Sequence, residues 1–520
     1  MACRLLRLSA RHRCFSTTSS GERLRVAIVG GGAAGLSSAL HLAPLVEKGL
    51  VESPIDVFEP SASKGREIGV GLWSTALEPF RASPRNSHQQ LWEDMTHCGR
   101  WVGTVGYRTP DGTWLAKSQL PTSIEDNMDM PALLFLREMD MLTSLRRAVH
   151  LEEMQGTVKI HHGDQARITG IQEDSPHSYS AGLVGGDCVT DRDYHLIVAA
   201  DGMNSMLRKK YGGHRHLRRF TGTGALLRSD GGPSPDTGSS WEAAGQAEAN
   251  AIEDRQYTVF RGNANLTHTE SGIDGESFQT WGVGKSMRFA TVPLLYPSQE
   301  KRTEKEVWFL TTSDDSIAAE NDAVKRRNLL LTAFRDWHAP ICQLLEATPP
   351  EAILFERAVA HRHCVGPVID INRDLEQYHK KRPKSSGPGP AIVFVGDAFM
   401  CVDPILAQGF TMGMEGANQL ATSVELGCKM SSADDSSLAF DPYALRNELQ
   451  DQYDRRNHRL LCLLRATELV QALGQPSSGL TGSVNKHLLR PLMKLCPDFV
   501  KRRMFNAVLR YSLGLPPRKR

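Results

Sequence analysis

Apolar positions along this chain fall in short runs, each closed by glycine or by a polar turn. Leu24-Arg25-Val26-Ala27-Ile28-Val29 has strand length, ends in glycines and gives way to a small-residue stretch of helical character from Ala33 to Leu45. Ile55-Asp56-Val57-Phe58 follows as a second strand, so the order predicts a parallel βαβ unit. Leu196 to Ala200 and Ala391 to Val395 repeat the strand pattern, the second leading to a helix-like stretch from Phe410 to about Glu425. Ser277 to Leu294 and Glu306 to Thr312 have the apolar and aromatic content of strands, which predicts a largely antiparallel sheet outside the βαβ unit. Helical spacing takes over from about residue 443.

Two stretches carry no such pattern. Ser229 to Ala251 and Lys380 to Pro390 are rich in Gly, Ser, Pro and charge, cannot bury a core, and read as surface insertions. With 520 residues, the chain can form two or three domains. No apolar window is long enough for a transmembrane helix. A formal charge of +2 and a pI near 8.0 leave no basic surplus for a phosphate backbone, which argues against nucleic acid as a partner. The ten cysteines are scattered without CxxC pairs, as suits a reducing compartment, and the run His361-Arg362-His363-Cys364 is too tightly spaced for all of it to reach one ion. No metal site is expected.

Charge does shape the two ends. Arg4, Arg7, Arg11 and Arg13 precede the first acid, Glu22, and residues 1–22 have the composition of a transit peptide with a mitochondrial address. From Lys486 to Arg520 there are ten Lys or Arg against the single acid Asp498, with Leu, Met, Phe and Val recurring at helical spacing between them. A basic amphipathic helix of this kind can lie on an anionic membrane surface, or pack on the body with its basic face in solvent.

Three stretches carry candidate chemistry. Gly30-Gly31-Gly32-Ala33-Ala34-Gly35 is a GxGxxG between strand and helix: Gly30 allows the tight turn, Gly32 lets a pyrophosphate approach the backbone, and Gly35 lets the helix sit close to the strand, with Ala33 and Ala34 opening that helix. Glu59 ends the second strand, where its carboxylate can accept from both ribose hydroxyls and disfavours a 2′-phosphate. Asp201 and Gly202 close the third strand in a polar turn, with Arg208 beyond it as a cation for phosphate or a support for the turn. Asp397 closes the fourth strand, where its carboxylate can accept from ligand hydroxyls, and the stretch through Pro404 to Gly409 and Phe410 would start a helix whose positive end favours negative charge on a ligand.

In this order and at these separations the three signals resemble the FAD-dependent aromatic-ring monooxygenases, the family of the para-hydroxybenzoate hydroxylase fold. Arg66 to Phe80 (REIGVGLWSTALEPF), Trp281 to Gly284 and Phe334-Arg335-Asp336-Trp337 bring the chain closest to the subgroup of urate hydroxylase and zeaxanthin epoxidase. Arg137 matches the family arginine that contacts FAD. The resemblance implies an α/β fold: a Rossmann-like FAD-binding domain with an inserted, mainly antiparallel β substrate domain, and C-terminal helices. Its bounds would be a core at 23–425, with the insert at about 75–120 and 215–365, and a helical region at 426–520.

The implied activity is hydroxylation or epoxidation of an aromatic or unsaturated small molecule, with NADH or NADPH reducing FAD and dioxygen supplying the oxygen atom. No second GxGxxG is present, as the family's transient use of NAD(P)H implies. Trp73, Trp281, Phe289, Trp308 and Phe399 are candidate walls of a dry pocket. No general base stands out; Arg288 is the one candidate, as a cation for a phenolate. The family's Gly-Asp-Ala-Ala-His and Gly-Gln-Gly are altered here at Met400 and Ala407, both beside the expected flavin. The leader and basic tail leave open a ubiquinone-pathway ring hydroxylase, and the altered stretch leaves open a flavin-binding, membrane-associated protein without turnover.

Overall fold

A computed structural model describes residues 23–62, 64–124, 130–172, 179–186, 188–212, 217–220, 226–228, 252–267, 273, 276–282, 287–296, 303–361, 363–368, 389–431, 440–474, 487 and 490–515. The leader at 1–22, the insertion at 229–251 and nearly all of that at 380–390 lie outside these residues.

The four strands expected from sequence form one parallel sheet with a fifth, in the order Ala391–Phe394, Leu196–Ala199, Val26–Val29, Ile55–Phe58 and Val158–His161. Every residue of the first four is buried. That is why they read as unbroken apolar runs: a parallel sheet is covered on both faces. The Ala33–Glu47 and Glu138–Met154 helices pack with the Gly409–Ser431 helix on one face, around Leu36, Leu40, Leu145 and Met414. The other face is covered by Leu207, Tyr211, Phe399, Leu460 and Leu463.

The inserted domain is a seven-stranded sheet in the order Leu354–His361, Ile252–Thr267, Thr303–Thr312, Arg288–Tyr296, Glu276–Trp281, Thr104–Arg108, Trp114–Gln119. All its pairings are antiparallel except the one joining the two pieces of the insert, Glu276–Trp281 beside Thr104–Arg108. One face packs on short helices through Phe260, Phe289, Trp308, Phe334 and Ile341. The opposite face looks toward the parallel-sheet domain.

The C-terminal region is helical, with Pro442–Gly474, Arg490–Leu495 and Asp498–Ser512. Of the two placements the sequence allowed, the last helix takes the second, packed on the body with Arg502 and Arg503 exposed. It lies over the edge of the inserted sheet, where Tyr107 and Phe505 meet with ring centroids 5.2 Å apart, and Leu509 and Leu513 pack against Val102 and Leu120. Part of its apolar face is therefore a roof rather than a free surface.

Candidate active site

The glycine turn is held by contacts that only glycine permits. Gly30 has φ +108°, and a Cβ there would stand 2.3 Å from the Ala200 carbonyl oxygen. A Cβ on Gly35 would stand 1.9 Å from the oxygen of Gly30. Around Gly32 there is open space, and the helix that starts after it has no side-chain cap and no acid in its first turn. Its free N–H groups and positive dipole end are thus available to an anion.

The other segments converge on this turn. Ala34 lies under Gly396, which has φ +59° and whose missing Cβ would be 2.7 Å from the Ala34 methyl. Glu59 is buried with its carboxylate against Gly31; Arg146 donates to Oε1 at 3.1 Å, and Oε2 is buried with no hydrogen-bond partner. Asp201 accepts from Met206 N at 2.8 Å through Oδ2, whereas its Oδ1 is likewise buried and unpartnered, and burial raises the carboxyl above its ordinary value. Two orphaned acceptors beside an uncapped helix start suit a ligand that brings hydroxyl donors and phosphate together. FAD is such a ligand, and the residues fit it.

Asp397 is accessible to solvent, yet protein crowds it so closely that lost hydration pushes its carboxyl up to about 6, against the opposing pull of Arg66. A side chain on a cleft wall meets both conditions. Arg208 does not reach toward a phosphate. It donates to the carbonyl oxygens of Ala398 and Phe399, at 3.1 and 2.7 Å, and so braces the loop after Asp397. Arg137 is buried, clamped by both oxygens of Asp140 at 2.6 and 2.7 Å, with its guanidinium 4.9 Å from the Tyr296 ring.

From Asp403 onward the loop is fixed by the inserted sheet: Tyr257 Oη and Arg255 Nε donate to the Asp403 carboxylate at 2.8 and 2.7 Å. Pro404 begins a single 3-10 turn, Ala407 stands in the left-handed region at φ +50°, and Gly409 opens the 23-residue helix. Phe410 packs at the edge of the core and Thr411 Oγ1 accepts from Trp73 N at 3.2 Å. Ala407 therefore stands in a backbone conformation that favours glycine.

Beside this loop lies a cavity of about 280 Å³. Trp73 and Phe135 form one wall, Tyr107, Leu115, Gln279 and Trp281 the sheet wall, Leu406, Ala407 and Gln408 the floor, and Met504, Phe505, Val508 and Leu509 the roof. Tyr107 sits 4.0 Å from Trp281 between ring centroids, and burial pushes its phenol up to about 12, so it stays neutral. Among the described residues Lys501 is the one charged side chain in the lining.

Of the five aromatic walls expected from sequence, Trp73 and Trp281 line this cavity. Phe289 and Trp308 do not. Phe289 pairs with Thr280, one residue out of phase with Trp281, so strand alternation sends it to the opposite face, where it stacks on Trp308 at 5.9 Å. Phe399 is also misplaced by the sequence reading. It points under its loop, with the Arg456 guanidinium 4.0 Å from its ring. Arg288 pairs with Trp281 and shares its face, but it donates to Thr311 Oγ1 at 3.3 Å, lies over the Tyr257 ring and does not line the cavity. It is not placed to meet a substrate. His361, suspected as metal-like, has its ring nitrogens occupied by Cys401 N–H and the Met203 carbonyl. Among the described residues no group of His, Cys, Asp or Glu could hold a metal ion.

Arg66, Tyr107, Gln279, Gln408 and the roof residues went unread as site residues. Gln408 left a sequence signal as the middle of an altered Gly-Gln-Gly, Arg66 as the first residue of the stretch to Phe80, and the roof residues as a helical spacing.

Solved structures share this fold. Over 95% of this chain and 97% of theirs, it superposes on Klebsiella pneumoniae HpxO complexed with FAD and uric acid, at a TM-score of 0.57 and 18% identity. 2,6-Dihydroxypyridine-3-hydroxylase from Arthrobacter nicotinovorans gives 0.55 at 14% identity, covering 88% of this chain and 95% of that one. Pseudomonas aeruginosa PqsL in complex with 2-aminobenzoylacetate gives 0.56 at 14% identity, covering 91% and 100%. The chain has the fold of the FAD-dependent aromatic monooxygenases. No family model matches it. A curated relative, the aurachin C monooxygenase/isomerase of Stigmatella aurantiaca, is 30% identical over 179 residues, which is 34% of this chain. The match spans only 38% of that relative's length.

Proposed function

We propose that this monooxygenase-fold chain binds FAD and uses NAD(P)H and dioxygen to hydroxylate or epoxidise a neutral aromatic or unsaturated small molecule. One observation carries the reading: Ala407 and Gln408 belong both to the loop that would border the flavin and to the floor of an apolar cavity. When bound, FAD would supply hydride acceptance from NAD(P)H and activation of dioxygen.

The chain's own residues bind, orient and exclude water. Glu59 would accept from the adenosine ribose and Asp397 from the ribityl chain, while the turn at Gly30–Gly35 receives the pyrophosphate. The dipole of the Gly409–Ser431 helix favours negative charge at its start, and so favours the reduced cofactor. Trp73, Tyr107 and Trp281 would hold a flat ring over the floor, and the roof helix would keep water from the reacting atoms. Among the described residues no carboxylate or histidine lines the cavity, which favours a substrate reactive enough to need no general base.

The test is direct. Purified protein should be yellow, should oxidise NAD(P)H faster when its substrate is present, and should release product heavier by one oxygen atom. A colourless protein indifferent to FAD would overturn the reading. The leader composition supports a mitochondrial address, which residues 1–22 fused to a fluorescent protein would report; diffuse cytosolic signal would count against it. The basic tail supports peripheral contact with a membrane.

A further inference from the structure

The roof over the cavity has an outer side that the oxidation chemistry does not use. Leu495, Phe499 and Met504 are 83%, 71% and 60% exposed, and Leu469 on the neighbouring helix is 44% exposed. Apolar side chains gathered in this way on a surface mark a place of contact. Met504 and Leu469 also line the cavity, so the exposed apolar surface reaches its lining at these two residues.

Basic residues are interleaved with this strip. Asp111 and Asp498 engage Lys494 and Lys501. Arg502 and Arg503 are exposed, and among the described residues neither has an ion pair. Asp498 is the single acid between residues 486 and 520. A second copy of the chain would bring the same cationic strip against itself across a two-fold interface, which disfavours self-association. An anionic bilayer complements both features: phosphate for the guanidinium groups and acyl chains for the leucine and phenylalanine.

We propose that the strip from Leu492 to Met504 docks on an anionic lipid surface, so that the cavity mouth at Leu469 and Met504 faces the acyl layer and admits a ring compound dissolved in it. The docking stands on the surface alone, whereas the entry of a substrate rests on the monooxygenase reading of the cavity.

The test uses the full chain loaded with FAD, sedimented with phosphatidylcholine vesicles with and without phosphatidylserine. Binding should require phosphatidylserine and weaken with salt. The double variant Arg502→Gln/Arg503→Gln should bind roughly 25-fold more weakly, at about fivefold per cation. Leu495→Ser/Phe499→Ser should weaken it as well, and both variants should keep their FAD and melting temperature because the residues are exposed. Tryptophan placed by Met504→Trp should show emission shifted to the blue on phosphatidylserine vesicles. Indifference to phosphatidylserine, or undiminished binding by the arginine variant, would overturn the docking. So would a dimer in solution that Leu495→Ser/Phe499→Ser dissociates. An unshifted Met504→Trp emission would overturn the placing of the mouth. Loss of the flavin reading would show instead as colourless protein, with the vesicle results unaffected.

Discussion

Gln408 and Ser512 lie 104 residues apart in sequence and touch in the fold, the amide Nε2 donating to the serine Oγ at 2.9 Å. Arg459 closes the triangle by donating to Gln408 Oε1 at 2.9 Å and to the Ser512 carbonyl, while its Nε donates to Glu415 at 3.0 Å. The end of the roof helix is thereby fastened to the loop that forms the cavity floor. Arg459→Met keeps the bulk but leaves Glu415 without this cation, a loss of about 3 kcal/mol for a largely buried pair. Melting temperature should fall, and a larger share of NAD(P)H should be oxidised without product as water enters under the loosened roof. Calorimetry and the product-to-NAD(P)H ratio would check both, and a tight ratio in the variant would mean that the latch does not seal the site.

Ala407 offers a prediction of the opposite sign. A non-glycine residue in the left-handed region costs about 1 kcal/mol, and its φ is +50°. Ala407→Gly should therefore stabilise the chain by up to about 1 kcal/mol, offset in part by the freer unfolded chain. It should also enlarge the cavity by one methyl group, since Ala407 lines it. Urea denaturation would read the stability, and a less stable variant would show that the methyl makes contacts worth more than the strain.

The two faces of the inserted sheet separate packing from chemistry. Phe289→Ala removes a fully buried ring on the far face and should cost about 3–5 kcal/mol with KM unchanged in whatever folded protein remains. Trp281→Ala opens the cavity itself, so it should raise KM and the uncoupled oxidation of NAD(P)H. Steady-state kinetics beside thermal melts would distinguish them, and matching KM changes in both would contradict the assignment of faces.

Phe289 and Trp281 also show where sequence reading reaches its limit. The parallel strands were legible because burial on both faces leaves continuous apolar runs, and the glycine turn because Gly30 and Gly35 meet backbone that tolerates no Cβ. Which side of the inserted sheet an aromatic takes depends on register with the strand beside it, here Thr280 against Phe289, and composition carries no trace of that pairing. The roof was left open between two placements for a similar reason. Phe505, Val508 and Leu509 show the helical spacing of an amphipathic face, but spacing alone cannot say whether that face meets lipid, the body or a cavity.

His41 gives the fold an acid sensitivity apart from the site. Its ring lies tilted against Phe80 with centroids 4.3 Å apart, its Nε2 is buried without a partner, and burial, with His88 adding to it, lowers its pKa to about 3. The unfolded chain takes up this proton near pH 6.5 while the fold refuses it. Stability contributed by neutral His41 is complete above pH 6.5 and falls as pH drops toward 3, by about 2 kcal/mol at pH 5. His41→Leu should flatten the fall in melting temperature between pH 7 and pH 5, and an equally steep fall in that variant would place the sensitivity elsewhere.

Asp397 should make cofactor affinity depend on pH as well. Its carboxyl is pushed up to about 6 by crowding, against about 3.9 in an unfolded chain. For an acid shifted upward the fold holds the proton more firmly, so its contribution to the stability of the free protein is greatest below about pH 4 and is lost as pH rises through about 6. Ribityl hydroxyls reverse the preference, because they donate hydrogen bonds that the charged carboxylate accepts best. Binding then expels the proton, and FAD affinity should climb from pH 5 to pH 6 and level off above 7. Arg66 pulls the same carboxyl downward, so Arg66→Gln should move the inflection to higher pH, whereas Asp397→Asn should bind weakly and without inflection. Titration by quenching of FAD fluorescence at constant ionic strength reads all three curves, and a flat wild-type curve would mean that Asp397 does not meet the ribityl chain.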